Sequence, residues 1–270
     1  MDDHLQANLA HWNELTTIHA RSAFYDLAGF KAGKSSLKAI EVGELGEVTG
    51  KSLLHLQCHF GMDTLSWARR GAQVTGVDFS DQAIATARSL GQELGIAADF
   101  IFSDLYALPN VLVGEFDIVF TSYGVLCWLP DLERWAQVIA RFLKPGGTFY
   151  IVEEHPFANV LEDDTTTGSF KVAYSYFHSP EPFRWDGEGT YADRNATVEH
   201  RTTFEWTHSL SDILNALIAA GLRVEFLHEF PYLMYAKLAC MEEGEDGWWR
   251  LKDRSVSLPL LFSLKALKPS

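Results

Sequence analysis

The loop Gln57-Cys58-His59-Phe60-Gly61 and the acid Asp78 have the types and spacing to do chemistry. The loop follows a short apolar run at 52–56 and leads into a helical stretch at 62–70. A strand, a tight loop and a helix N-terminus make a nucleotide site, because backbone N–H groups point outward and the helix dipole favours an anion. Asp78 ends the next apolar run, 73–77. A carboxylate there can accept hydrogen bonds from both hydroxyls of a ribose. Together they describe a nucleoside-containing cofactor on an open parallel sheet. A dinucleotide would want Gly-x-Gly-x-x-Gly, so that the backbone can approach a pyrophosphate. This glycine-poor loop suits a cofactor without phosphates better.

Candidate proton acceptors belong where the crevice of such a sheet opens, at the carboxyl ends of the strands. Glu153, Glu154 and His155 follow a fifth strand directly. An imidazole at His155 has a pKa suited to neutral pH. His178 and His200 lie further along, and His208 precedes a helical stretch.

The elements that must position these residues alternate. An amphipathic helix at 4–19 carries Leu5, Leu9, Trp12, Leu15 and Ile18 at helical spacing. A loop with Gly29 and Gly33 and a short helix within 37–48 follow. The strand at 52–56 is then succeeded by helix 62–70, closed by Gly71, and by strand 73–77. Ser80 and Asp81 can cap a helix at 81–94 that Gly95 closes. Strands at 98–102 and 116–121, a helix at 131–143, the turn Pro145-Gly146-Gly147 and a strand at 148–152 complete the series. Strands separated by helices argue for a parallel sheet with helices on both faces. Residues 156–206 break the pattern: rich in aromatics and turn residues, they read as an insertion with one or two strands. A helix at 209–220, a strand at 222–229, an irregular acidic stretch at 241–247 and a last strand at 258–266 follow.

Composition narrows the classes. The 270 residues carry a formal charge of −14, which disfavours a long phosphate backbone as partner because counterion release needs clustered Lys/Arg. Three scattered cysteines without a Cys-x-x-Cys pair argue against a zinc ribbon or a disulfide framework. The acidic start lacks the layout of a secretory signal, and no run of 18 apolar residues occurs. The expectation is a cytoplasmic protein with no membrane span and no metal.

At this point the residues match a family. LLHLQCHFGMDTLSWARRGAQVTGVDFS closely resembles the first motif of class I S-adenosylmethionine-dependent methyltransferases. The resemblance runs on through FSDLYALP (102–109), FDIVFTSYGVLCWLPDL (116–132) and LKPGGTFYIVE (143–153). It is strong over about residues 50–155. One departure stands out: His55 takes the motif's acidic position, and Gln57 and His59 stand where its first two glycines would be. This Leu-Gln-Cys-His-Phe-Gly version resembles a bacterial, small-molecule branch of the family.

The resemblance implies a fold: α/β, Rossmann-like, a seven-stranded mostly parallel sheet with helices on both faces, the last strand antiparallel, plus a β-rich insertion after strand 5. It divides the chain into a helical cap (1–50), a cofactor-binding half (51–155), an aromatic insertion or lid (156–206) and the C-terminal part of the core (207–270). It also implies S-adenosylmethionine as cofactor. Gln57, Cys58, His59, Gly61 and Asp63 would border its methionine end. Asp78 would take the ribose and Phe79 the adenine face. Ser103, Asp104 and Leu105 would meet the adenine edge, with Thr121, Tyr123 and Val125 beside the sulfonium. Trp12, Tyr25, Trp128, Tyr176 and His178 are the candidates for binding the acceptor. His155, His208 and Glu154 are the candidates for catalysis. The segment after strand 4, Thr-Ser-Tyr-Gly, lacks the Asn/Asp-Pro-Pro-aromatic motif of DNA amino-methylating relatives. A monomer or homodimer acting on an O, N or C atom of a small molecule is expected. The alternatives are a non-catalytic binder of the cofactor or its product, a tRNA- or protein-modifying methyltransferase, and an NAD-dependent enzyme, which the missing glycines disfavour.

Overall fold

The computed structural model describes residues 3–164 and 166–270. Helices α1 (Asp3–Arg21), α2 (Leu27–Lys31) and α3 (Ala39–Leu45) come first. The core series follows: β1 (Ser52–Leu56), α4 (Met62–Arg69), β2 (Gln73–Asp78), α5 (Asp81–Leu94), β3 (Asp99–Phe102), β4 (Phe116–Ser122), α6 (Leu132–Phe142) and β5 (Leu143–Glu154). Four short strands, β6 (Leu161–Asp164), β7 (Ser169–Val172), β8 (Phe183–Asp186) and β9 (Thr202–Glu205), occupy the insertion. The chain ends with α7 (Leu210–Ala219), β10 (Arg223–Phe230), β11 (Met241–Glu243), β12 (Trp249–Leu251) and β13 (Leu261–Leu267).

Seven strands form one sheet in the order β10-β13-β5-β4-β1-β2-β3. β3, β2, β1, β4 and β5 run parallel, while β13 runs antiparallel to both β5 and β10. The last strand is thus antiparallel, as expected. The pleat sorts the side chains by a period of two. Leu54, Val119, Phe149 and Ile151 pack against Trp135, Ile139 and Phe142 of α6. Leu53, Ile118, Phe120, Tyr150 and Val152 face the other way, onto Trp67 of α4. The helix termini follow their sequence signals. Ser80 Oγ caps α5 by accepting from Ala83 N at 3.0 Å, and Asp131 caps α6 by accepting from Arg134 N at 2.9 Å.

Three readings need correction. The insertion holds four strands, not one or two: β6–β7 and β8–β9 are separate antiparallel hairpins. The acidic stretch at 241–247 is not irregular throughout, since β11 pairs with β12 there. The short helix α2 falls in what reads as a loop. It is five residues long and starts from Asp26, whose side chain accepts from Gly29 N. These elements are too short for periodicity to register.

Because β1 lies between β2 and β4, its crossovers leave in opposite directions, and the crevice opens at the carboxyl ends of β1 and β4. Helix α1 bridges that crevice. Asn8 donates to Phe204 O and accepts from Phe204 N, both at 2.8 Å, so its amide acts as a pairing partner for β9. Glu14 accepts from the backbone N–H groups of Glu199 and His200. On the core side, Ser80 Oγ donates to Asn13 Oδ1 at 2.6 Å.

Candidate active site

The loop after β1 has the backbone of a glycine-rich turn without the glycines. Gln57 (φ 56°), His59 (φ 50°) and Gly61 (φ 81°) all lie in the left-handed region. That region costs an ordinary residue about 1–2 kcal/mol. Only at Gly61 does space also forbid a side chain: a Cβ there would sit 2.7 Å from the Phe100 ring and 2.9 Å from Ala87 Cβ. At Gln57 and His59 the side chains point into room, and both line the crevice.

Asp78 is fixed where β2 ends. His59 N donates to Oδ2 at 2.7 Å and Ser80 N to Oδ1 at 2.9 Å. Burial pushes its carboxyl up to about 6 against those donors. Gln57 Nε2 donates to Val125 O at 3.0 Å, leaving Gln57 Oε1 buried with no partner. His59 Nε2 and His19 Nδ1 share one hydrogen bond of 3.1 Å. Burial holds His59 well below the ordinary imidazole value and His19 near 3, so the pair is neutral. Trp12 packs edge-on against both His59 and Trp128, each at 5.3 Å. Tyr25 lies over His19 and Phe60, its hydroxyl bonded to that of Tyr191.

The loop after β4 is organised from β5. The Glu153 carboxylate accepts from the N–H groups of Gly124, Val125 and Leu126. Burial pushes it up to about 7. Below it, Asp63 accepts from Ser122 Oγ at 3.0 Å, and His55 Nδ1 meets Thr64 Oγ1 at 2.8 Å. Tyr123 donates to Glu41, a buried acid that caps α3 and is pushed up to about 8 by burial and by Asp63. Sequence reasoning missed Glu41, because nothing in a short helix marks one acid as buried.

The loops after β1 and β4 border one cavity of about 1740 Å³. A pocket for a single small molecule measures roughly 300–1,000 Å³, so there is room for two ligands. Gln57, Cys58, His59, Gly61, Asp63, Asp78, Phe79, Tyr123 and Val125 all line it. So do Trp12, Tyr25, Trp128, Tyr176, Glu154 and His208. Ser103, Asp104, Leu105, Thr121, His155 and His178 do not. The Asp104 carboxylate caps the short helical turn Leu105–Asn110, accepting from Tyr106 N and Ala107 N. Ser103 donates to Asp104 O, and Leu105 and Thr121 are buried.

The catalytic candidates separate. His155 lies outside the cavity lining: its Nδ1 accepts from Phe157 N at 3.0 Å and its Nε2 lies 2.9 Å from Glu229 on β10. It packs on Phe262, away from the cavity, because the chain turns at Pro156. His208 lines the cavity with its Nε2 on Leu129 O at 2.7 Å, stacked on His178. Burial holds it near 4, a weak base at neutral pH. Glu154 is held by Tyr235 Oη at 2.7 Å and Lys237 Nζ at 2.8 Å. Lys237 and Tyr235 belong to the segment after β10, which carried no sequence signal. Among the described residues no group of three or more His, Cys, Asp or Glu could hold a metal, and no helix is long and apolar enough to cross a membrane.

Known proteins share this fold. Residues 54–151 match a family model described as a methyltransferase domain. A ubiquinone biosynthesis O-methyltransferase of Pseudomonas paraeruginosa is 31% identical over 110 residues, 41% of this chain and 47% of its own length. The chain thus spans about half the length of the curated relatives it matches. Among solved structures, an S-adenosylmethionine-dependent methyltransferase from Mesorhizobium loti is 21% identical with a TM-score of 0.58, covering 88% of this chain and 99% of that one. A glycopeptide N-methyltransferase complexed with sinefungin is 18% identical with a TM-score of 0.53, covering 84% and 90%. Residues 54–151 thus match a methyltransferase domain, and the chain shares the fold of these solved methyltransferases.

Proposed function

We propose that the protein is an S-adenosylmethionine-dependent methyltransferase that acts on a small molecule bound in the same cavity. The observation that carries this reading is the Asp78 carboxylate, held by His59 N and Ser80 N beside a left-handed loop, at the edge of a cavity with room for two ligands. The residues fit the cofactor. The unpartnered Gln57 Oε1 is an acceptor suited to an ammonium, Asp78 to ribose hydroxyls, and Phe79 to an adenine face. When bound, S-adenosylmethionine supplies a methyl group already activated on a sulfonium.

The chain's own residues then align the acceptor and exclude water. Trp12, Tyr25 and Trp128 line the cavity together with residues of the insertion, with Tyr25 bonded to Tyr191 there. Glu154 remains the acid best placed to handle an acceptor proton, although Lys237 and Tyr235 must first yield it. His208, neutral and fixed on Leu129 O, positions rather than titrates. The O-methyltransferase relatives favour an O atom as acceptor. The family match covers residues 54–151, on the cofactor side, so the acceptor has to be read from the insertion.

Calorimetric titration with S-adenosylmethionine and S-adenosylhomocysteine tests the reading. Micromolar binding is expected, weakened roughly 30-fold or more by Asp78→Asn, as expected for loss of a charged hydrogen-bond acceptor. Absence of binding to the folded wild-type protein would sink the proposal.

A further inference from the structure

One carboxylate in the cavity wall has no counter-charge. Glu205 ends β9, lines the cavity and is partly buried. Its one hydrogen bond is a long 3.3 Å contact from Thr203 Oγ1, two residues back on the same strand. Among the described residues no Lys, Arg or His forms an ion pair with it. The cation whose field reaches it, Lys237, is engaged elsewhere: its Nζ lies 2.8 Å from Glu154 and 2.9 Å from Asn159. Lys237 thus pairs with Glu154 and reaches Glu205 only through its field. Burial pushes the Glu205 carboxyl up, and Lys237 only partly offsets this. A carboxylate withdrawn from water without a partner is costly, and an incoming cation removes that cost.

The surroundings favour the same kind of guest. Trp206 follows Glu205, and its N–H on Cys127 O at 2.8 Å brings it beside the Trp128 segment. Trp206, Trp128 and Tyr235 all line the cavity, and aromatic faces attract ammonium groups. The lining as a whole contains eleven Asp or Glu residues against four Lys or Arg. Glu205 belongs to the insertion, not to the β1–β2 end where Gln57 and Asp78 would take the cofactor's ammonium and ribose.

We propose that Glu205 is the recognition carboxylate of the acceptor subsite, and that the acceptor enters as an ammonium carried on an aromatic body. Calling this ligand the acceptor rests on the methyl-transfer reading; the cation subsite itself does not.

The test titrates the full chain with three matched probes, phenethylamine, phenethyl alcohol and phenylacetate, at neutral pH by tryptophan fluorescence. S-Adenosylhomocysteine is titrated separately by calorimetry. Phenethylamine is expected to bind roughly tenfold or more tighter than the alcohol, with phenylacetate weakest. Glu205→Gln is expected to abolish the amine preference, and Glu205→Asp, which keeps the charge, to retain part of it. Equal binding of amine and alcohol to the wild-type protein would overturn the proposal, as would an unchanged preference in Glu205→Gln. Should Glu205→Gln not fold, the wild-type probe ranking and Glu205→Asp still decide. Amine preference without S-adenosylhomocysteine binding would remove the cofactor reading and leave the subsite standing; the reverse pattern would remove the subsite alone.

Discussion

Three positions of the β1–α4 loop share a left-handed backbone, yet only one requires glycine, and that asymmetry can be measured. Gly61→Ala adds a Cβ at φ 81°, 2.7 Å from the Phe100 ring and 2.9 Å from Ala87. The backbone term is about 1–2 kcal/mol and the overlap about 1–3 kcal/mol. Their sum, about 3 kcal/mol, corresponds to a fall in Tm of about 6–12 °C for a chain of this size. Gln57→Gly runs the other way. It relieves about 1–2 kcal/mol of backbone strain and removes a buried acceptor without a partner. Against this stand the lost bond to Val125 O, about 1 kcal/mol, and glycine's extra chain entropy, about 0.5–1 kcal/mol. Val125 O keeps Trp128 N at 3.2 Å, so no new orphan is made. Stability should stay within about 1 kcal/mol of wild type while affinity for S-adenosylmethionine falls roughly tenfold, because the ammonium loses Gln57 Oε1. Urea unfolding and calorimetric titration of both variants read the two quantities separately. A loss below about 1 kcal/mol for Gly61→Ala, or a loss above about 2 kcal/mol for Gln57→Gly, would refute the assignment of strain to these positions.

Three further outcomes are expected. Asp104→Ala should cost about 1 kcal/mol by uncapping the 105–110 turn, yet leave S-adenosylhomocysteine affinity within roughly threefold, as measured by unfolding and titration. Lys237→Met should destabilise by about 2 kcal/mol by stranding Glu154, and adding Glu154→Gln should recover part of that loss in a double-mutant cycle. Burial holds His55 near 4 in the folded chain, below the unfolded value of about 6.5, so the unfolded state binds more protons between those values. Its contribution is complete above about pH 6.5 and is lost as pH falls towards 4. The buried acids Glu41, Asp78 and Glu153, pushed up, act in the opposite sense over an overlapping range and flatten the wild-type profile. The difference between His55→Asn and wild type isolates the histidine. It should shift by about 2 kcal/mol in the variant's favour between pH 7 and pH 5, followed by unfolding at each pH.

The core was legible because its signals are long or doubly marked. β1 to α5 combine apolar runs of five or six residues with Ser80 as a cap and Gly61, Gly71 and Gly95 as stops. The hairpins were not, since β6 to β9 are four residues each, with few buried positions, and paired across gaps no local pattern encodes. At the site, Asp78 could be read from its place at a strand end. The direction of a side chain just beyond a strand could not. His155 looks equivalent to Glu154 in sequence, but the turn at Pro156 sends one ring towards Glu229 while its neighbour faces Lys237. Asp104 shows the converse. Its position suits an adenine contact, yet an acid two residues before a free N–H is also a cap, and Oδ1 caps the 105–110 turn.

The attachment of α1 has an evolutionary consequence. Asn8, His11 and Glu14 grip the insertion through the backbone of His200, Glu199 and Phe204, not through its side chains. Hydrogen bonds to main-chain atoms are indifferent to which residues the hairpin displays, and ring contacts from His4 and His19 fix only Phe204, Trp206 and Tyr191. Mutations can therefore reshape the cavity face of the insertion, and with it the range of molecules admitted, while the door keeps its latch. The part of the molecule that chooses its guest is free to drift without forfeiting the part that shuts behind it.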